Sequence, residues 1–287
     1  MKIAVVGVGN MGAPMAACIA RAGHAVTVFD SSPERAQQVA AANGCHAATK
    51  LQELAEAEFI VTMLPTGHIV HQLYLGEGLA DLLRRGSIAI DMSSSDPTGT
   101  RKLGAALATH GIVLLDAPVS GGVPRAVQGT LAIMIGGDDQ EAIERARPLL
   151  RTMGDRLFET GGLGTGHAMK ALNNFVAAAG FAACAEALIA GERFGLDPAR
   201  MVEILNVSTG RNFHTDMVLR EHVISGKFAT GFSLGLLAKD LRIAAQLMRE
   251  LDFDAPLVRL VSARFDQAQD ALGYASDNSE AIKAWNK

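Results

Sequence analysis

Six residues near the start, Gly7-Val8-Gly9-Asn10-Met11-Gly12, limit what this chain can fold into more than any other stretch. They overlap the end of a β-branched run, Ile3 to Val8, and open a run at helical spacing, so they form the turn between a strand and a helix. In such a turn Gly7 permits the tight bend, Gly9 lets the backbone approach a pyrophosphate, and Gly12 lets helix and strand pack closely. The helix that follows offers unpaired N–H groups and a positive dipole end to phosphates. Asp30 closes the next strand, Ala25 to Asp30, 18 residues after Gly12. A carboxylate there accepts hydrogen bonds from ribose hydroxyls and repels a 2′-phosphate. Ser31 and Ser32 follow with no arginine directly beside Asp30, which favours NAD over NADP; Arg35 is the first basic residue after it.

From Met1 to about Thr160, β-branched runs alternate with helical patterns, the signature of βαβ units and a parallel sheet. The predicted strands are Ile3 to Val8, Ala25 to Asp30, Phe59 to Met63, Ser87 to Asp91, Ile112 to Leu115, Leu131 to Ile135 and Arg156 to Glu159. Ser32 with Pro33 marks one helix start, Thr49 with Gln52 reads as a capping box, and Asp138 with Glu141 repeats that pattern. After Gly166 the spacing is helical up to Trp285. The expected architecture is α/β: an N-terminal doubly wound Rossmann domain with a mostly parallel sheet, then an all-α C-terminal domain. The boundary falls at Gly161-Gly162-Leu163-Gly164, giving domains 1–162 and 163–287. A long interdomain helix, from about Thr165 to Phe194, begins the second; its Ala and Gly content predicts burial on most sides.

A chain of 287 residues is comfortable for two cores. Its 26 basic and 30 acidic residues give a net charge of -4 with no run of Lys or Arg, which argues against nucleic acid as a partner. Cys18, Cys45 and Cys184 lie far apart and read as buried thiols in a reducing compartment. No signal peptide is recognised at the N-terminus, and the apolar stretch Phe175 to Ala190 is interrupted by Glu186 and too short for a bilayer, so no membrane partner and a cytoplasmic location are expected. No cluster of histidine and carboxylate has metal-ligand spacing, so no metal is expected.

Several further motifs occur in order: MLP from Met63, DMSSSDP from Asp91, DAPVSGGVPRAVQGTL from Asp116, GTGHAMKALNN from Gly164 and KDL from Lys239. With GVGNMGAPMA from Gly7, they make the chain similar from end to end to the β-hydroxyacid dehydrogenases typified by 3-hydroxyisobutyrate dehydrogenase. Lys170 and Asn174, four apart on the predicted helix, fall on one face where a single substrate can touch both. Oxidising an alcohol requires a proton to leave oxygen as hydride leaves carbon, and partial desolvation favours the neutral amine of a lysine. Lys170 is therefore the candidate general acid/base, a role the resemblance also implies. Asn174 would hold the reacting oxygen, and Asn173 is read as structural. His167, one turn before Lys170, is read as a neighbour rather than the base.

Ser120, Gly121 and Gly122 follow a strand where the ligand crevice of a parallel sheet is expected, and can turn N–H groups and a hydroxyl towards a carboxylate. The resemblance makes this loop the substrate signature. Met63, Leu64 and Pro65, with Ser94 where relatives usually carry threonine, should contact the cofactor together with Gly7, Gly9, Asn10, Met11, Gly12 and Asp30. By resemblance, Phe232 and Lys239 close over the nicotinamide, placing the active site between the domains; on residues alone, Lys239-Asp240 reads as a surface pair. Phe213 and His214 are assigned to the pocket without an orientation.

The expected reaction is hydride transfer between NAD and the alcohol of a small 3-hydroxy acid, by a homodimer or homotetramer as in the family. The alternatives are a reductase of glyoxylate or a semialdehyde, against which Asp30 argues, and 6-phosphogluconate dehydrogenase, whose helical domain is too large for this chain. A non-catalytic nucleotide-binding module would have no reason to keep both Lys170 and Asn174.

Overall fold

Strands β1 (Lys2–Val6), β4 (Phe59–Thr62) and β5 (Ile88–Asp91) are apolar at nearly every position, as strands with covered faces on both sides must be. Successive residues serve opposite faces: Ile3 and Val5 pack in one apolar core with Met15, Ile19 and Leu149, while Ala4 and Val6 pack in the other with Tyr74, Leu103 and Leu107. The computed structural model of the chain describes residues 1–286 and divides into two units, Met1–Lys170 and Ala171–Lys287.

The first unit carries one nine-stranded sheet, completed by β2 (Ala25–Phe29), β3 (His46–Ala47), β6 (Val113–Asp116), β7 (Val119–Ser120), β8 (Ala132–Gly136) and β9 (Arg156–Gly161). Its order is β3-β2-β1-β4-β5-β6-β8-β7, with β9 on β8. From β3 to β6 every pairing is parallel; β8 runs antiparallel to β6 and β7 and parallel to β9. The chain reverses direction across the sheet between β1 and β4, so a crevice opens at the carboxyl ends of those two strands. All seven predicted strands are present. The two extra ones, β3 and β7, hold two residues each, too few for a period to register in the sequence.

Helix starts follow local chemistry. Ser32 caps Pro33–Asn43 by accepting from the Arg35 N–H. The other two predicted caps sit one residue further on. Glu53, not Gln52, accepts from the N–H groups of Thr49 and Lys50, over a 3₁₀ turn Leu51–Leu54. Asp139, not Asp138, caps Gln140–Arg151 through the Ala142 N–H, because Asp138 accepts from the Leu163 N–H instead.

Helix Thr165–Phe194 matches its predicted span, and the division into units falls within it. Beyond it come helices Pro198–Asn206, Leu234–Glu250, Pro256–Leu272 and Ala281–Trp285 and a π-helical segment His214–Ile224, with no β-strand among the described residues. Phe181, Phe265 and Trp285 pack with tilted and edge-to-face rings in the core of this second unit. The long helix is less buried than its composition suggests: Ala178, Phe181, Cys184, Ala185 and Leu188 enter the core, but Val176 is 68% exposed. At 30 residues, with a mean hydropathy of 1.5 in its most apolar window, it is long and apolar enough to cross a membrane, in contrast to the short stretch read from the sequence. One face of it packs into the helical core, with 44% of that window buried.

Candidate functional site

The glycine turn follows β1 at the crevice, and two of its glycines are there because nothing larger fits. Gly7 has φ +88°, and a Cβ on it would meet the Met63 carbonyl oxygen at 2.4 Å. On Gly12 a Cβ would meet the Gly7 carbonyl oxygen at 1.9 Å, so helix and strand touch backbone to backbone. At Gly9 a Cβ would meet nothing within 4 Å. Its space opens into a pocket of about 470 Å³ lined by Val8, Gly9, Asn10, Ala13 and Arg35. The helix Gly12–Arg21 begins at Met11 with no side-chain cap and no acidic residue in its first turn. An uncapped helix start, a backbone open at Gly9 and an acid beside it fit a dinucleotide pyrophosphate and ribose.

Asp30 is buried after β2 and already ties the turn together. Its Oδ2 accepts from the Val8 N–H at 2.9 Å, and its Oδ1 accepts from the Ser32 N–H at 2.9 Å and from Arg35 Nη1 at 3.4 Å. Arg35 thus sits against Asp30 and in the pocket wall, although it lies five residues away in sequence.

At the ends of β4 and β5 a buried hydroxyl and carboxylate network positions the expected cofactor loops. Asp91 accepts from Thr62 Oγ1, the Ser93 N–H and Ser95 Oγ at 2.9, 3.1 and 2.7 Å, which fixes the turn that carries Ser94. Ser93 Oγ accepts from the Leu64 N–H at 2.9 Å and so holds Leu64, next to Pro65, while Met63 lies against Gly7 and Gly12. Asp116, at the end of β6, accepts from the N–H groups of Gly164 and His167 at 2.7 Å each and anchors the start of the long helix. Lys170 lies one turn further along it, half-buried.

Ser120 is joined to this unit by pairing of β7 with β8 at Ala132. Gly121 and Gly122 both have positive φ, +133° and +65°, as a turn that presents backbone N–H groups requires. The stem of Arg125 lies over Gly121, where a Cβ would meet Arg125 Cδ at 2.5 Å, so a guanidinium-bearing side chain rises from the same loop.

In the second unit Asn174 is buried and its amide is held at both ends. Nδ2 donates to Asp240 Oδ2 at 2.6 Å, and Oδ1 accepts from Asn173 Nδ2 at 3.1 Å. Asp240, 2% exposed, also pairs with Lys239 Nζ at 3.0 Å, so Lys239-Asp240 is a mostly buried pair rather than the surface pair that the residues alone suggest. Phe232 belongs to a different cluster: its carbonyl accepts from Asn278, and Asp277 holds the preceding segment through Thr230 Oγ1 and the Gly231 N–H. Burial pushes the Asp277 carboxyl up, but donors from Ser279, Thr230 and Gly231 outweigh it and leave the group below its ordinary value. Phe213 is 66% exposed, whereas His214 is buried with Nε2 at 2.7 Å from the Ala177 carbonyl oxygen.

Asp91, Asp116, Asp240 and Asp277 were not picked out as functional residues by sequence reasoning. Asp91 and Asp116 open the motifs DMSSSDP and DAPVSGG and Asp240 is the middle residue of KDL, and an acid at the end of a buried strand, as at Asp91 and Asp116, was the available signal. Among the described residues no three His, Cys, Asp or Glu are grouped to hold a metal.

Residues 2–162 match the family described as the NAD binding domain of 6-phosphogluconate dehydrogenase, and residues 164–285 the one described as NAD-binding of NADP-dependent 3-hydroxyisobutyrate dehydrogenase. The chain is 37% identical to 3-hydroxyisobutyrate dehydrogenase of Pseudomonas aeruginosa, covering 96% of each. It is 34% identical to 2-(hydroxymethyl)glutarate dehydrogenase of Eubacterium barkeri, covering 100% of this chain and 95% of that one. The solved structure of Mycobacterium tuberculosis 3-hydroxyisobutyrate dehydrogenase with L-serine superposes with a TM-score of 0.90 at 34% identity, covering 100% and 99% of the two chains.

Proposed function

The chain belongs to the β-hydroxyacid dehydrogenase family and is an NAD-linked hydroxyacid oxidoreductase; from that premise we propose that it oxidises the β-carbon alcohol of a small 3-hydroxy acid, with Lys170 as general acid/base. The observation that carries this reading is the fixed amide of Asn174. Asp240 engages Nδ2 and Asn173 engages Oδ1, which leaves one Nδ2 hydrogen for a substrate oxygen.

In the forward direction the alcohol proton passes from oxygen to the neutral Lys170 amine as the hydride leaves the β-carbon, and the carbonyl forms between them. Asn174 donates to that oxygen and orients it. Ser120, Gly121 and Gly122 supply hydroxyl and backbone donors for the substrate carboxylate, and Arg125 adds positive charge to the loop. NAD, when bound, supplies the hydride acceptor; Gly7, Gly9, Asn10, Met11 and Gly12 would hold its phosphates, Asp30 its ribose, and Met63, Leu64, Pro65, Ser94, Phe232 and Lys239 would line the rest. Residues 1–162 form the cofactor domain in this reading and residues 163–287 the substrate and oligomerisation domain, a homodimer or homotetramer. Unpaired Cys18, Cys45 and Cys184 are consistent with a reducing, cytoplasmic setting for a soluble enzyme.

Lys170→Ala is the test. Turnover should fall at least about a hundredfold with NAD affinity nearly unchanged, and survival of turnover would overturn the assignment. A panel of 3-hydroxyisobutyrate, 3-hydroxypropionate, serine and glycerate, read as kcat/KM with NAD, identifies the substituent on the α-carbon.

A further inference from the structure

His167 is fully buried, on the first turn of the helix Thr165–Phe194, and it stands between two buried carboxylates. Its Nε2 faces Asp91 Oδ2 at 3.6 Å, and its Nδ1 lies 3.8 Å from Asp116 Oδ2 and 2.8 Å from Thr100 Oγ1. The Thr100 hydroxyl, which also lies 3.0 Å from the Asp96 carbonyl oxygen, is the hydrogen-bond partner of Nδ1. The Nε2 atom has no hydrogen-bond partner within ordinary distance and is sealed from solvent, with Asp91 ahead of it. Asp91 and Asp116 are 2% and 0% exposed, and the buried Tyr74 is a further titratable group that feels the Asp91 charge.

Asp91 and Asp116 are neighbours at the carboxyl ends of the paired strands β5 and β6, and these contacts set the helix start against both. Asp91 fixes the turn of Ser93, Ser94 and Ser95, and through Ser93 the Leu64 backbone; Asp116 fixes the helix start. The His167 imidazole is placed against both acids, and Lys170 follows on its face of the helix, i to i+3. We infer that His167 is a positioning residue: its imidazole clamps the helix start to the carboxyl ends of β5 and β6 and thereby sets the height and rotation of Lys170.

The inference rests on the reading of Lys170 as acid/base, and the two are separable. His167→Leu keeps the volume but removes both ring nitrogens; His167→Gln restores a donor. The expected result for His167→Leu is a fall in kcat of about tenfold or more, since small misplacements of a reacting group are costly. NAD affinity by fluorescence titration should stay within about twofold, and the pH profile of kcat should shift along the axis. His167→Gln should recover most of kcat. If Lys170→Ala abolishes turnover while folded His167→Leu retains the kcat and pH profile of the parent, the positioning role is wrong and the acid/base assignment stands. Surviving turnover in Lys170→Ala removes the assignment and this inference with it. If His167→Leu lowers the thermal midpoint and NAD affinity together and His167→Gln rescues neither kcat nor profile, the residue is a core element only, and the inference is overturned.

Discussion

Asn174 Nδ2 and Asp240 Oδ2 are 2.6 Å apart in the buried interior of the helical unit, a charge-assisted hydrogen bond between residues 66 positions apart. Removing the amide leaves a buried carboxylate short of a donor, which costs about 1–3 kcal/mol. Asn174→Ala should therefore lower the urea midpoint as well as kcat/KM, and Asn174→Asp should lower it further by setting two carboxylates against each other. Asp240→Ala should weaken catalysis through the loosened amide, and the double variant should cost less than the sum of the singles. Strict additivity in urea denaturation and in kcat/KM would show that the pair does not act as one unit.

The glycine turn separates a packing role from a binding role. A methyl group on Gly12 collides with backbone, the Gly7 carbonyl oxygen, which cannot move aside without shifting the helix. Gly12→Ala should lower both the thermal midpoint, by several degrees, and NAD affinity. Gly9 has open space instead, so Gly9→Ala should leave the midpoint within about 2 °C while weakening NAD by about tenfold or more, equivalent to 1.4 kcal/mol. Differential scanning fluorimetry with NAD titration checks both. An unchanged NAD affinity in Gly9→Ala would exclude that pocket as the pyrophosphate site.

These two cases show what the sequence could and could not disclose. The turn Gly7 to Gly12 was legible because its spacing, the strand before it and the helix after it are all local, and the same holds for the seven longer strands and the full span of Thr165–Phe194. The strands β3 and β7 have two residues each and exist only because neighbouring strands offer them partners. Asp139 rather than Asp138 caps its helix because a distant N–H, that of Leu163, claims Asp138. The burial of Asp240 and the clamp around His167 likewise depend on partners from 51 to 76 residues away in sequence, which no local pattern records.

Cofactor choice should turn on Asp30 and Arg35 together. Asp30 repels a 2′-phosphate, while the Arg35 guanidinium beside it, in the pocket wall, would attract one. Asp30→Asn should lower the ratio of kcat/KM with NAD to that with NADP by about tenfold or more. Some loss with NAD itself is expected, because the charge also holds the Val8 and Ser32 N–H groups. Arg35→Ala should move the ratio the other way. If neither substitution changes the ratio, the ribose is held elsewhere.

Acid stability should depend on His214. Burial pushes its imidazole below the ordinary 6.5, against the opposing hydrogen bond to the Ala177 carbonyl. The unfolded chain therefore takes up this proton at a higher pH than the folded protein does. In the window between those two values the unfolded state binds more protons, so stability rises with pH. The contribution is complete above 6.5 and is lost as pH falls below 6.5 towards the folded value. Asp277, held below its ordinary 3.8 by donors that outweigh burial, adds a loss only further down, as pH falls from 3.8 through its folded value. His214→Gln, whose amide can still donate to Ala177, should flatten the fall of the unfolding midpoint just below pH 6.5 and leave the lower branch intact. Asp277→Asn should do the reverse. Midpoints measured across both windows decide this, and an unaltered slope just below 6.5 in His214→Gln would show that another group carries the acid sensitivity.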